Sequence, residues 1–415
     1  MSDASNALHG ALHPDVAWLA DALWGGLEGV RVTDRWDPPP GWRTAERYLV
    51  ASAGGRPRML LPDDPIAGRE ALRANASMRA PRVRWARSAA GLAYHPAAWD
   101  LATRGRGRVG VHVAGPGVEL PSRFLAEALG EVHVVLAINV RPPAPFRKPT
   151  VQVVLPGGRM LAYAKVASTE VTKLGVGREA RALRALASRA GGPLLAPALL
   201  HLGSWGSREV LVTAPLPPGV RRYRAEEGPP PLDVTREVAS LSDDGRSALG
   251  ESVYWKDVRA RAERLAPTAA GAGFDAVFAA FLDTVQDRRG GAATTFGTWH
   301  GDWSSWNLGH VEGRIAAWDW EHSTPGTPLG YDVVHFLFQT AFIGEGRPLG
   351  VAFASARARS GAWLERLDAD PDAIADAHVA EVTLRYLDAM ARGAGPNPRF
   401  LEGIGDVLVE RATGR

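Results

Sequence analysis

Between residues 132 and 188 the chain runs through three β-type segments and then a helix, and this order constrains its fold more than any other feature. The β-type segments are 132–140, 150–155 and 160–166, and Pro156-Gly157-Gly158 joins the last two as a tight hairpin. The spacing predicts a helix over 178–188, where strong helix formers surround Leu183 and Leu186 before Gly191-Gly192-Pro193 stops it. A second strand pair over 199–202 and 209–213 ends at the break 215–219. Five strands with one helix inserted after the third make a small, mostly antiparallel lobe. Beyond Asp233 the pattern is mainly helical, over 253–265, 275–286 and 374–390, except for a loop-rich island at 298–328.

The preceding 130 residues mix helical patterns at 13–27 and 67–76 with a hairpin, 48–51 and 58–61 about Gly54-Gly55, and carry no chemical motif. At 415 residues and 46% hydrophobic content the chain can fill two or three cores. The absence of cysteine excludes disulfides, thiolate metal sites and a cysteine nucleophile, and suits a reducing cytoplasm. Residues 1–11 lack a secretory signal pattern, and no stretch approaches the roughly 20 apolar residues of a membrane span. A soluble, cytoplasmic protein is therefore expected, with no membrane partner. Forty-eight basic against 45 acidic side chains are too balanced for a nucleic-acid binder, and the arginine-dense run 79–108 reads as a solvated face.

The chemistry concentrates in the island. It reads Trp299-His300-Gly301-Asp302-Trp303-Ser304-Ser305-Trp306-Asn307, and twelve residues after Asn307 comes Asp319-Trp320-Glu321. Phosphoryl transfer needs a group to receive or orient the attacking hydroxyl's proton, and hard oxygens to hold magnesium on nucleotide phosphates. Asp302, Asn307 and Asp319 supply that set.

This segment resembles the aminoglycoside phosphotransferase and choline kinase family, relatives of protein kinases, with its His-Gly-Asp, four residues, Asn, and later Asp-Trp. The resemblance implies Asp302 as catalytic base or hydroxyl orienter, Asn307 and Asp319 as Mg²⁺ ligands, and His300 as a support of the loop. It further implies a strand lysine and a helix glutamate for ATP, and Lys165 in Ala162-Tyr163-Ala164-Lys165-Val166 and Glu179 occupy those places. Thr213, Ala214 and Leu216 fall where the family's hinge clasps adenine, while Pro215 and Pro217 cannot donate. The phosphate-covering segment 141–149 departs from the pattern: it has no glycine, and its prolines remove amide donors. Gly326-Thr327-Pro328 followed by Asp332 matches the family's brace for the catalytic loop, with a helix N-cap as an alternative reading of Asp332.

The motifs span residues 132–339, about half the chain. The expected architecture is α+β: a bilobal protein-kinase-like fold with a small antiparallel β lobe bearing one helix (131–219) and a large helical lobe (220–415). An extra N-terminal α+β domain (1–130) precedes it, by analogy with the cap of maltokinase-like and glucosamine kinases. The expected activity is ATP- and Mg²⁺-dependent phosphorylation of a hydroxylated small molecule such as an aminoglycoside, amino sugar, sugar or amino alcohol. The alternative is a degenerate kinase-fold module that binds nucleotide or metabolite without phosphotransfer. A protein kinase fits less well, because Gly301 stands where that family has arginine. Acidic side chains at 321, 345, 368, 370, 372, 376 and 381 could face a cationic acceptor but read better as helix-end solvation. Trp303, Trp306 and Trp320 read as anchors of the loop rather than as a stacking surface.

Overall fold

A computed structural model of the chain describes residues 12–74, 81–103, 107–141, 146–189, 191–393 and 397–413. Two compact units result, Met1–Ala180 with Pro197–Pro218, and Arg181–Ala196 with Gly219–Arg415. The strands in chain order are β1 (Val30–Thr33), β2 (Arg43–Ala53), β3 (Arg56–Pro62), β4 (Arg108–Val113), β5 (Val135–Asn139), β6 (Thr150–Val154) and β7 (Met160–Ala167). They continue with β8 (Leu194–Leu195), β9 (Leu199–Trp205) and β10 (Arg208–Thr213).

The first unit is built on one nine-stranded antiparallel sheet, ordered β1-β4-β2-β3-β5-β6-β7-β10-β9. The five strands expected over 132–213 are all present, and the 48–61 hairpin forms as β2 and β3. Two strands, β1 and β4, were not expected. The sheet also continues across the boundary expected at 130, because Met59 and Leu60 of β3 pair with Asn139 and Ile138 of β5. Apolar side chains from every part of the sheet share one core. Tyr48, Val111, Ile138, Val151, Ala164 and Val212 pack with Leu19, Leu23 and Trp24 of the helix Pro14–Trp24. Arg208 on β10 is 6% exposed and donates Nε–H to the Ala22 carbonyl at 2.7 Å, satisfying an end of that same helix.

Strand alternation turns Ala162, Ala164 and Val166 into this core and Lys165 to the opposite face. There the helix Glu170–Ala187 packs Val176 and Ala180 against Ala167 and Leu211. It starts eight residues before the predicted 178, over a run of Val, Thr and Gly with weak helix propensity. Packing against the sheet and the reciprocal bonds of Thr169 and Thr172 override that preference.

The second unit is mainly helical, with helices Leu232–Ala239, Val253–Gly271, Asp275–Arg289, Tyr331–Gln339, Leu349–Arg366, Pro371–Ala391 and Pro398–Thr413. Its strands are β8, β11 (Arg221–Arg222), β12 (Arg246–Ala248), β13 (Ala293–Trp299), β14 (Leu308–Val311), β15 (Arg314–Ala317) and β16 (Thr324–Pro328). They form two small sheets, β11-β14-β15-β8 and β12-β13-β16, which frame the island. Among the described residues no helix is long and apolar enough to cross a membrane.

Candidate active site

The motif's spacing becomes geometry through the β14–β15 hairpin. Leu308 pairs with Ala317, and the Trp318 amide donates to the Asn307 carbonyl at 3.2 Å. Asn307 and Asp319 therefore leave the open end of one hairpin. On the other side β13 delivers the chain into His300-Gly301-Asp302, and pairing of Trp299 with Thr324 sets that turn beside residue 322. Gly301 has φ of 84°, and a Cβ there would lie 2.6 Å from the His322 carbonyl oxygen, so only glycine fits. The same contact disfavours the arginine of a protein-kinase loop.

Asp332 holds this turn with both oxygens: Oδ2 accepts the His300 amide at 2.7 Å and Oδ1 the Gly301 amide at 2.8 Å. Burial pushes its pKa up to about 7, against the two amide bonds and Arg385, which favour the carboxylate. It does not cap the helix. Gly330 occupies the N-cap position of Tyr331–Gln339, and the Asp332 side chain turns to the loop instead.

His300 staples the two turns together. Its Nδ1 accepts the Asp302 amide at 3.2 Å, which assigns the ring proton to Nε2, 3.1 Å from the Trp318 carbonyl. Burial lowers its pKa to about 4, so this neutral tautomer persists at neutral pH. Asp319 follows in the left-handed region at φ 72° and ψ 52°, a conformation uncommon outside glycine that concentrates at functional sites.

The Asp302 carboxylate is gripped from two sides. Asn307 donates one Nδ2 proton to Oδ2 at 2.9 Å and the other to the Asp302 backbone oxygen at 3.0 Å. His335 Nε2 lies 3.3 Å from Oδ1. The side chain keeps 28% exposure, and burial of the remainder raises its pKa. With both amide protons of Asn307 committed, its Oδ1 is the atom it could offer a hard cation, and Asp319 follows the other strand of the same hairpin. Mg²⁺ retains waters and typically takes one or two protein oxygens plus phosphates, so this pair fits it. Among the described residues no group of three or more His, Asp or Glu forms a complete protein cage.

Two helices hold Asp332 and further residues with no role assigned from the sequence: His335, Gln339, His378 and Arg385. Helix Tyr331–Gln339 turns Asp332, His335 and Gln339 toward the loop at i, i+3 and i+7. Helix Pro371–Ala391 does the same with His378, Glu381 and Arg385. Arg385 donates to the Gly301 carbonyl, stacks over Trp299 and Tyr331, and pairs with Glu381, which also holds Arg261. The signal was available: three polar residues at helical spacing, each on a helix that is otherwise largely buried.

Trp303 and Trp320 are fully buried and anchor the loop as expected, whereas Trp306 is 44% exposed. The acidic residues do not form a bare acceptor surface: Asp368, Asp372, Asp376 and Glu381 pair with Arg246, Arg289, Arg411 and Arg261. Asp370 caps its helix through Oδ1.

In the first unit the structure brings Lys165 and Glu179 together. Nζ donates to both carboxylate oxygens, at 2.7 and 2.6 Å, and Glu179 is 3% exposed. Of the three hinge candidates, Thr213 ends β10, and the Ala214 amide is spent on the Ala198 carbonyl at 2.8 Å, leaving it no N–H for a base while that bond stands. Leu216 lies in the irregular segment beyond. Within the proline segment, residues 142–145 lie outside the described residues.

No protein-family model and no curated protein matches the chain. Solved structures do. A thermostable mutant of aminoglycoside phosphotransferase APH(4)-Ia is 18% identical over 71% of this chain and 100% of that one, with a TM-score of 0.48. Choline kinase LicA from Streptococcus pneumoniae is 13% identical over 64% of this chain and 88% of that one, at 0.40. A glucosamine kinase is 16% identical over 73% and 85%, at 0.36. These neighbours are of the kinds that the loop motifs resemble.

Proposed function

We propose that this protein is an ATP- and Mg²⁺-dependent phosphotransferase that phosphorylates a hydroxyl of a small molecule. The observation that carries the reading is the Asp302 carboxylate, held by Asn307 through Oδ2 yet partly open, with Asn307 and Asp319 leaving the same hairpin. Asp302 orients the acceptor hydroxyl and takes its proton as the hydroxyl oxygen bonds to the γ-phosphorus and the bond from that phosphorus to the β,γ-bridging oxygen breaks, releasing ADP. Asn307 and Asp319 would hold Mg²⁺, whose charge offsets that of the nucleotide phosphates. In the first unit Lys165, steadied by Glu179, is the cation for the α- and β-phosphates, and the segment 213–216 is the adenine hinge. On this reading 131–219 is the small lobe and 220–415 the helical lobe of a protein-kinase-like fold, with 1–130 as a cap-like accessory part. The acceptor class is an aminoglycoside, amino sugar, sugar or amino alcohol, with exposed Trp306 as the candidate for stacking on it.

The test is incubation with Mg²⁺ and ATP against a panel of such acceptors, scored for phosphorylated product. Tight nucleotide binding without product from any acceptor would favour the non-catalytic binding module instead, a reading that the glycine-free 141–149 segment supports.

A further inference from the structure

Behind Asp302 lies a chain of buried groups that the proposed chemistry does not use. His335 is 3% exposed and His378 fully buried. His335 Nε2 stands 3.3 Å from Asp302 Oδ1 and 3.2 Å from the Gln339 amide, and His335 Nδ1 stands 3.1 Å from His378 Nε2. His378 Nδ1 is buried without a hydrogen-bond partner. Tyr331 stacks on the His335 ring at 5.6 Å and 15°, while Phe338 and Phe353 meet the His378 ring edge to face.

Two proton arrangements are available to this chain when both rings are neutral. In the first, His335 carries its proton on Nδ1 and donates to His378 Nε2. The His378 proton then sits on the orphan Nδ1, and a bare His335 Nε2 faces an Asp302 oxygen. In the second, His378 donates Nε2–H to His335 Nδ1, and His335 donates Nε2–H to Asp302 Oδ1. Gln339 then turns its amide oxygen toward that proton, a half-rotation that exchanges two atoms of similar size. The first arrangement strands a buried N–H, which costs about 1–3 kcal/mol, and, although the Gln339 amide can donate to the bare His335 Nε2, it sets that lone pair against an Asp302 oxygen. The second leaves only an unused acceptor on His378. The second therefore prevails.

We infer that His335 is a positioning residue for Asp302, donating Nε2–H to Oδ1 and fixed in that tautomer by His378 from behind. The inference rests on the phosphotransferase reading for its consequence, though not for its geometry. Asn307 on Oδ2 and His335 on Oδ1 together set the carboxylate rotamer, so that its open side faces the acceptor.

The experiment has two arms. In the first, long-range ¹H–¹⁵N spectra of ¹⁵N-histidine-labelled protein are recorded for the wild type and for Asp302→Ala. The expected result is an Nε2–H tautomer at His335 whose shifts move when residue 302 loses its carboxylate. An Nδ1–H tautomer at His335, indifferent to residue 302, overturns the inference. In the second arm, His335→Leu should lower kcat about 10²-fold, as carboxylate misplacement does, with KM for ATP within about threefold. His335→Gln, which restores an N–H at that reach, should recover most of the loss, which a purely structural role would not predict. Wild-type kcat in a folded His335→Leu variant also overturns the inference. If the wild type itself makes no product, the phosphotransferase reading fails, and the spectroscopic arm alone decides whether His335 holds Asp302.

Discussion

Lys165 and Asp302 are both fixed side chains, and the two units fix them by different means. Lys165 sits inside a sheet, paired across to Thr150 on one side and Leu211 on the other, and the Glu179 carboxylate of the covering helix receives its ammonium. Asp302 sits in a turn with no ladder to place it. Asp332 holds the backbone before it, Arg385 takes the Gly301 carbonyl, His300 ties the turn to residue 318, and Asn307 and His335 hold the carboxylate. A strand inherits its placement from register; a loop must assemble it from side chains, most of them buried and costly to lose.

That contrast can be broken or sharpened by mutation. The largest effect belongs to Asp302→Asn, which should lower kcat by about 10³-fold or more while leaving nucleotide affinity within a few-fold, because the lost interaction belongs to the transition state. Steady-state kinetics beside calorimetric titration of nucleotide check it, and retained turnover would refute the role assigned to Asp302. Next, Asp332→Ala leaves two buried loop amides without acceptors and should cost about 2–6 kcal/mol of unfolding free energy in urea titrations. Asp332→Asn, which keeps one acceptor oxygen, should cost less.

Acid sensitivity tests the His300 staple. Its folded pKa of about 4 lies below the ordinary unfolded value, so on acidification the unfolded chain takes up the proton first. The stabilisation is complete above pH 6.5, declines as pH falls, and levels off below 4. Unfolding free energy in wild type should therefore drop more steeply over that window than in His300→Asn, by about 3 kcal/mol in total. Parallel curves for the two proteins would refute the assignment. The smallest effect is expected in the sheet: Glu179→Gln should lower stability by about 1 kcal/mol, since Lys165 keeps 17% exposure and can hydrate. Its KM for ATP should nonetheless rise about tenfold, through loss of the group that aims Nζ.

What the sequence made legible follows the same divide. Lys165 and its orientation could be read from period-two alternation, and Asp302, Asn307 and Asp319 from spacing within one short segment. Of their supports, His300 and Asp332 stood in recognisable motif positions, whereas those on the later helices showed only as polar residues at helical spacing, with nothing to name their partners. Arg385 reaches Gly301 across 84 positions and His378 meets His335 across 43, on helices whose apolar periodicity reads as plain core. The acidic residues were expected to solvate helix ends, and Asp370 does cap one, but Glu381 is buried within a helix and Asp372, Asp376 and Glu381 pair with arginines from distant segments that carried no local signal. Strands β1 and β4 carry a weak signal because both are short: β1 has four residues, and Gly110 and His112 break the apolar run of β4.

The nine-stranded sheet has a further consequence for how this chain can be cut. A lobe beginning near residue 131 would present β5 as an outer edge, with the amides and carbonyls of the buried run Leu136–Ala137–Ile138 open to any other extended chain. In the intact protein β3 occupies that edge. The first 130 residues are thus no detachable cassette: they shield the strand on which the rest of the sheet is built, and removing them would trade a folded unit for an adhesive one.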